Sequence, residues 1–237
     1  MSSNPDKTIS CIDCPNCHKG LFSVFENEDL EKLNNEKIVQ NYKKGQFIFK
    51  EKTVPRGVYC IHSGNVKITK VSEEGKEQIV RLAKPGHFIG YRALLCNDIY
   101  QASAIALEDT QVCFYNREFY LGLLRSNPAI AAQTIKVLTR DLKFAEHMMI
   151  NMAQKHVKGR FAEVLLMLEE FYGVYEKDGT INAIFKREDF GHMVGTTTET
   201  SIRVISEFAK EKLIELKGKR IKLLDKARIT KLSNRIN

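Results

Sequence analysis

The spacing of apolar positions changes twice along the chain. From Leu21 to Leu33 apolar residues recur at helical intervals, with acidic starts at Glu26, Glu28 and Asp29, which predicts short helices. From Gln40 to Phe114 the pattern becomes short β-branched and aromatic runs: Phe47-Ile48-Phe49, Val58-Tyr59-Cys60-Ile61, Val66-Lys67-Ile68-Thr69 and Gln78-Ile79-Val80-Arg81-Leu82. Turn signals at Lys44-Gly45, Ser63-Gly64-Asn65, Glu74-Gly75-Lys76 and Lys84-Pro85-Gly86 separate them. Strands punctuated this often predict an antiparallel sandwich or barrel. Asn127-Pro128 then opens a helix to about His156, in which Ala131, Ile135, Leu138, Leu142, Ala145, Met149, Met152 and His156 alternate in steps of four and three. A repeat of 3.5 residues specifies a supercoiling partner, so a homodimer coiled coil is favoured over a helix lying on its own β domain. Val157–Tyr172 reads as a further helix and Gly173–Thr180 as a turn-rich segment.

The sharpest local pattern lies between Lys186 and Lys212. Arg187–Val194 reads as a short helix that Gly195 breaks, and Gly191 supplies a small residue where two helices cross. Thr197 is a good N-cap for a second helix, from Thr198 to about Lys212, with Ile202, Ile205, Phe208 and Ala209 available for packing. Glu199 and Arg203, four residues apart, share a face near its start, where a recognition helix meets the major groove. Arginine donates two hydrogen bonds to guanine and glutamate accepts from cytosine N4, so the pair fits base reading better than a surface ion pair. Ile214-Glu215-Leu216 and Ile221-Lys222-Leu223 flank Lys217-Gly218-Lys219-Arg220, a tight hairpin whose basic tip suits phosphate contacts.

Charge sharpens this picture. The chain has 237 residues, 43% hydrophobic and 28% charged, with a net charge of +8. Residues 1–154 carry 20 Lys and Arg against 17 Asp and Glu, whereas residues 155–237 carry 17 against 12. The last 21 residues hold eight basic side chains (Lys217, Lys219, Arg220, Lys222, Lys226, Arg228, Lys231, Arg235) against Asp225 alone, which makes this the candidate polyanion-binding end. No apolar run approaches the roughly 18 residues of a membrane span. The polar start, Met1 to Ser10, argues against a secretory signal. Six cysteines without one suggest a reducing cytoplasm, where thiols serve as ligands or sensors.

Several motifs, in order, carry a resemblance: Lys44-Gly45-Gln46-Phe47-Ile48-Phe49, Val58 to Ile68, Glu73-Glu74-Gly75-Lys76-Glu77, Pro85-Gly86-His87-Phe88-Ile89-Gly90, Lys158-Gly159-Arg160-Phe161-Ala162 and the helix-turn-helix with Glu199 and Arg203. From about Leu21 to Leu224 the chain resembles the Crp/Fnr transcription regulators. The resemblance implies an α+β protein with an N-terminal antiparallel β-roll of the jelly-roll, double-stranded β-helix type, a long dimerisation helix and a C-terminal winged helix-turn-helix. The implied division is 1–20, a cysteine-rich segment; 21–126, a cyclic-nucleotide-binding-like sensor domain; 127–156, the dimerisation helix; and 157–237, the DNA-binding domain. It further implies a cytoplasmic homodimer on a palindromic promoter site in double-stranded DNA, with RNA polymerase as partner and no membrane. Thr198, Glu199, Ile202 and Arg203 are the implied base contacts; Thr197, Lys186, Lys217, Lys219 and Arg220 are the backbone contacts. Ile202 is left open between a thymine methyl contact and a core position.

Two sensor sites follow. In relatives that bind cyclic AMP, a Glu after Phe-Ile-Gly holds the ribose and an Arg-Ser pair eleven residues after that Gly holds the phosphate. Here Gly90 is followed by Tyr91, and Gln101 and Ala102 occupy the second place, so cyclic AMP binding in that mode is not expected. Cys11, Cys14 and Cys17 form Cys-x2-Cys-x2-Cys, and Cys113 falls where the oxygen-sensing branch has a distant fourth ligand to a [4Fe–4S] cluster. That branch has its third N-terminal cysteine farther downstream, where Leu21 and Phe22 stand here. An iron–sulfur cluster on these four cysteines, a zinc or other thiol site that includes His18, and reduced thiols without metal all remain open. Cys60 reads as core, and Cys96 has no assigned role.

Thr198 and Ile202, flanking the Glu199 and Arg203 positions, suggest a half-site closer to TTGA than to TGTGA. No P-loop, nucleophile elbow or Ser/His/Asp constellation is present, and His62, His87 and His192 are isolated, so an enzyme is not expected. A regulatory module without DNA function is the alternative.

Overall fold

The computed structural model describes residues 10–234. Met1–Ile9 of the polar lead-in, and Arg235 of the basic end, lie outside the described residues. The chain divides into two compact units: residues up to Lys70 with Arg81–Asp141, and Val71–Val80 with Leu142 onward.

The first unit begins with turns from Cys11 to Gly20, a 3-10 helix at Leu21–Val24 and helix α1 at Asn27–Glu36, as the sequence pattern predicts. Strands follow at Ile38–Tyr42 (β1), Phe47–Phe49 (β2), Gly57–Ser63 (β3), Val66–Val71 (β4), Glu77–Ala83 (β5), Phe88–Ile89 (β6), Ser103–Ala106 (β7) and Thr110–Asn116 (β8), with helix α2, Tyr91–Leu95, between β6 and β7. They form two four-stranded sheets, ordered β1-β8-β3-β6 and β2-β7-β4-β5. The expected antiparallel β-roll is the observed fold. Gly64, at φ +85°, closes the β3–β4 turn where a Cβ would stand 2.4 Å from the Thr110 hydroxyl, so the turn requires glycine there.

Strands β3 and β8 pair antiparallel, with Val58 opposite Tyr115, Tyr59 opposite Phe114, Cys60 opposite Cys113 and Ile61 opposite Val112. Successive side chains on a strand point to opposite faces. Tyr59, Ile61, Val112 and Phe114 therefore meet Ile48, Val66, Ala83, Ile89 and Ala104 in one core. Val58, Cys60, Cys113 and Tyr115 lie on the other face, in a second core. That core is completed by Cys11, Cys14, Cys17, Phe22, Leu30 and Leu33 of the N-terminal segment and by Tyr120 and Ile130.

Helix α3, Arg117–Ser126, is capped by Asn116, whose side-chain oxygen accepts the Phe119 N–H at 2.9 Å. Neither α2 nor α3 is foreseen by the sequence pattern. Helix α4, Pro128–Gln154, matches the predicted long helix, and the division of the chain into units falls within it, between Asp141 and Leu142. Its seam is not uniform. Leu138 packs on the second core, whereas Ile135, Leu142 and Met149, seven residues apart, are 63%, 60% and 67% exposed.

The second unit continues with α5 (Val157–Tyr172), α6 (Arg187–Val194), α7 (Thr198–Lys210), the hairpin β9 (Ile214–Lys217) and β10 (Arg220–Leu223), and α8 (Lys226–Ser233). Phe161 is buried between Phe190 and Phe208, at ring separations of 6.1 and 6.4 Å. Helix α8 occupies the stretch that the sequence offers only as a basic tail: Asp225 caps it by accepting the Arg228 N–H at 2.9 Å, Ile229 is buried, and Lys226 pairs with Glu169 of α5 at 2.7 Å. Among the described residues no helix is long and apolar enough to cross a membrane.

Phe161→Ala should destabilise the second unit by about 3–5 kcal/mol, the usual cost of truncating a buried phenylalanine. Urea unfolding would measure it, and a loss below about 1 kcal/mol would contradict this packing.

Candidate nucleic-acid interface and sensor sites

The helix-turn-helix is built by backbone constraint as much as by packing. Asp189 accepts the Lys186 N–H at 2.9 Å and starts α6. A Cβ on Gly191 would lie 3.0 Å from the Thr196 carbonyl, so the glycine lets the next helix approach. Gly195, at φ +69°, makes the break between the helices. The Thr197 side chain then accepts the Thr200 N–H at 3.3 Å, the expected N-cap. Ser201 is buried and its hydroxyl donates to the Arg187 carbonyl at 2.8 Å, locking α7 across α6.

Ser201, Val204, Ile205 and Phe208 form the buried face of α7. Glu199, Ile202 and Arg203 are exposed and Thr198 half-buried. Ile202, at 48% exposure, is therefore not the packing residue that helical spacing offers. Position 201 takes the buried place, because a small hydroxyl suits the helix crossing. Among the described residues no ion pair joins Glu199 to Arg203. The Glu199 carboxyl is held below the usual carboxylate range by its own backbone N–H and the Thr197 hydroxyl, so it stays an ionised acceptor.

The wing turns at Gly218, φ +61°, and leaves Lys217 and Lys219 exposed. Two other implied phosphate contacts already have partners within the chain. The Arg220 guanidinium lies over the Tyr175 ring at 3.8 Å, and Lys186 reaches Glu188 at 2.9 Å. The sequence does not foretell the Tyr175 contact, because 45 residues separate the two.

Each of Gly90, Tyr91 and Gln101, of the four residues of the implied nucleotide pocket, makes contacts within the chain. Gly90 caps α2 at φ +87°, and a Cβ there would stand 3.2 Å from the Tyr100 hydroxyl. Tyr100 in turn stacks on Phe49 at 4.0 Å. Buried Tyr91 faces α4: its hydroxyl donates to Asp141 at 2.5 Å and accepts from Arg81 at 3.2 Å, and Arg81 pairs with Asp141 at 2.9 Å. The exposed Gln101 amide donates to Asp98 at 3.1 Å, and Ala102 is half-buried. Arg81, Asp141 and Tyr100 are the members the sequence does not single out, since only the fold brings them to Tyr91 and Gly90.

The cysteines converge. Cys11, Cys14, Cys17, Cys60 and Cys113 share the second core, whereas Cys96 is exposed. Hydrogen bonding with Cys17 holds Cys11 down to about 6 and Cys14 down to about 4 against an ordinary thiol value of 9.0, with Tyr115 and Lys37 assisting at Cys11 and the Asn16 and Cys17 backbone and His62 at Cys14. The same contacts push Cys17 up, and burial pushes Cys113 up to about 11 and Cys60 well above the ordinary value. Lys37 Nζ and Tyr115 Oη stand 3.5 and 3.7 Å from Cys11 Sγ, and His62 Nδ1 stands 3.5 Å from Cys14 Sγ. His18, expected as a neighbouring ligand, is exposed and contacts the Ile12 carbonyl at 3.0 Å instead.

Among the described residues no group of three or more His, Cys, Asp or Glu side chains is arranged to hold a single metal ion. An iron–sulfur cluster takes four separate thiolates. Cys11, Cys14, Cys17 and Cys113, four free cysteines buried in one core, fit it in donor chemistry.

The comparisons with known proteins agree with this geometry. The family model for the cyclic nucleotide-binding domain matches residues 39–127, and that for the Crp-like helix-turn-helix domain matches residues 159–232. The chain is 27% identical to the fumarate and nitrate reduction regulatory protein of Vibrio cholerae over 231 residues, covering 95% of this chain and 90% of that protein. It is 28% identical to the transcriptional activator protein Anr of Pseudomonas protegens over 227 residues, covering 94% and 92%. The solved structure of FixK2 from Bradyrhizobium japonicum shares the fold, with a TM-score of 0.77 at 24% identity, over 84% of this chain and 98% of that one. The fold and the helix-turn-helix define a transcription regulator, not an enzyme. The chain belongs to the Crp/Fnr family.

The thiol geometry sets a pH dependence. A group whose folded pKa is depressed adds stability above its ordinary value and loses it as pH falls through the folded value. In the reduced, metal-free chain, ultraviolet thiolate absorption should persist as pH falls from 9.0 and disappear near about 4, and Cys14→Ser should remove its most acid-resistant part. A titration showing all thiolate lost by pH 8 would contradict this.

Proposed function

We propose that the chain is a homodimeric DNA-binding regulator that reads a palindromic promoter site and adjusts transcription in response to a redox signal received at its N-terminal cysteines. The proposed division is 1–20, cysteine segment; 21–126, sensor; 127–156, dimer helix; and 157–237, DNA-binding domain. The observation that carries the reading is the outer face of α7, where Glu199, Ile202 and Arg203 stand exposed on a helix whose inner face is fixed in the unit's core. A charged acceptor and a fork of donors four residues apart are suited to adjacent base edges in the major groove. Lys217, Lys219 and the Thr197 cap flank them for phosphate, with Lys186 and Arg220 available only by giving up the partners described above.

Dimerisation is supported by the exposed Ile135, Leu142 and Met149 stripe, a heptad face whose burial in a partner helix favours association. RNA polymerase is the partner through which such a regulator acts. The FNR-type and Anr relatives support redox over cyclic AMP as the signal, and the absence of any cation from the Gly90, Tyr91, Gln101 and Ala102 set supports it further. Cys11, Cys14, Cys17 and Cys113 would hold an iron–sulfur cluster, which supplies an oxygen-sensitive redox centre when bound.

Binding of the full chain to selected DNA tests the reading. TTGA-type half-sites are expected, and Arg203→Ala should lose about 1–3 kcal/mol of discrimination at one base pair. Lys219→Ala should weaken all sequences alike and flatten the salt dependence by about one phosphate's worth. Unchanged affinity in Arg203→Ala would sink the DNA-binding assignment, and TGTGA half-sites would sink the specificity. In sedimentation, Leu142→Glu should shift the dimer to monomer with the fold intact.

A further inference from the structure

Helix α5 has two working faces, and the DNA-binding reading uses one. Phe161 packs between Phe190 of α6 and Phe208 of α7. The opposite stripe, Glu163, Leu166, Met167 and Glu170, lines a groove against Phe144, His147 and Met148 of α4, with Ser233 of α8 completing the lining. The cavity measures about 260 Å³, just below the roughly 300–1,000 Å³ usual for small-molecule sites. Met148 and Met167 give it adaptable walls, because an unbranched thioether changes rotamer readily.

A second void of about 10 Å³ shares Met148, Glu163 and Val164 with the groove and is bordered by buried Asn151. Asn151 is 3% exposed, and its Nδ2 has no hydrogen-bond partner. A buried donor without an acceptor carries a desolvation penalty, which an oxygen placed beside it removes. The void has room for about one such atom. The neighbouring charges decide what kind of molecule brings it. Glu163 is already compensated: His147 Nε2 stands 2.5 Å from its Oε1, and Lys155 pairs with its other oxygen. Arg160, which also borders the void, donates to the Val194 and Lys155 carbonyls at 2.8 Å and to that of Met152 at 3.4 Å. Glu170 is exposed, and among the described residues no ion pair reaches it. Its carboxylate repels an anion, while the compensated Glu163 calls for no cation. The unmet group is a donor, so the matching ligand is neutral and accepts a hydrogen bond.

We propose that the α4–α5 groove binds a small neutral molecule with an apolar body and one accepting oxygen, of the short-chain ketone or ester class. Its body lies against Phe144, Met148, Leu166 and Met167, and its oxygen accepts from Asn151 Nδ2. Met148 borders both cavities and turns aside to join them. The bound molecule touches α4 and α5 at once and so restricts their relative motion. A protein already ordered by one ligand gives up less entropy on meeting a second, so the filled groove favours DNA. That regulatory consequence rests on the DNA-binding reading above, whereas the binding of the small molecule does not.

The test uses the full chain, labelled at its methionine methyl groups for NMR and titrated with butyl methyl ketone. Hexanoate and hexylammonium serve as the anion and cation of the same carbon number. The Met148 and Met167 signals should move saturably with the ketone, while that of Met149, exposed on the seam, stays in place. Asn151→Leu, which removes the donor and keeps the size, should weaken the ketone about fivefold, the worth of one hydrogen bond. Glu170→Lys should admit hexanoate and leave ketone affinity unchanged. No saturable shift, a shift shared equally by Met149, tighter binding of either charged probe by the unaltered chain, or full ketone affinity in Asn151→Leu overturns the proposal. DNA affinity is measured on the same samples and should rise at least about fivefold with the groove filled. A groove that fills without changing DNA affinity upholds the site and removes its regulatory role. Absence of DNA binding with and without ketone sinks the DNA-binding reading, while the methionine signals still decide the site.

Discussion

Strands β3 and β8 have no face left for water, and the rest of the first unit follows from that. In most antiparallel pairs one face packs and the other is solvated. Here one face builds the interior between the two sheets, and the other carries Val58, Cys60, Cys113 and Tyr115, which must be covered by something other than a sheet. The N-terminal segment, α3 and the start of α4 provide the cover. The cysteine lead-in, made of turns with little regular structure, is therefore held against the sheet by its own sulfurs and by Phe22, Leu30 and Leu33. The same burial places chemically reactive thiols and structural side chains in one layer, so a change in sulfur bonding there is felt by the packing of the sheet.

Helix α4 is the second consequence. Its Ile130 and Leu138 belong to that covering layer, and its Asp141 takes the Tyr91 hydroxyl and Arg81 at the point where the two units divide. Tyr91, which follows Gly90 at the start of α2, serves an internal polar link between the β-roll and the long helix.

What the sequence discloses depends on how local each cause is. The strands at 47–49, 58–61, 66–69 and 78–82, the helix from 128, the Gly195 break and the Thr197 cap are all set by neighbours within a few residues, and each is found where the pattern puts it. Helix α8 went unread because eight basic residues near the end mask a short apolar spacing, although Asp225 before Lys226 is a legible cap. Ile202 stays open in the sequence because helical spacing also offers it to the core, whereas in the structure the helix crossing at Arg187 is filled by the small, buried Ser201 and Ile202 is exposed. The convergence of Cys60 with the N-terminal thiols, the Tyr91–Asp141 link and the placing of Arg220 on Tyr175 depend on long-range register, which no local pattern carries.

The wing is fixed at both roots. Leu213 donates to the Phe208 carbonyl at 2.9 Å as the chain leaves α7, Leu224 donates back to Leu213 at 2.8 Å, and Ile221 accepts from Ile181 at 2.8 Å before α8 closes onto α5. A hairpin anchored this way gives up little conformational entropy when its tip meets a polyanion. Ordering a loop on binding costs free energy that otherwise subtracts from affinity, and here folding has already met that cost. The separation between Lys219 at the wing tip and the exposed face of α7 is thus a length set in advance by folding, not by whatever the unit later meets.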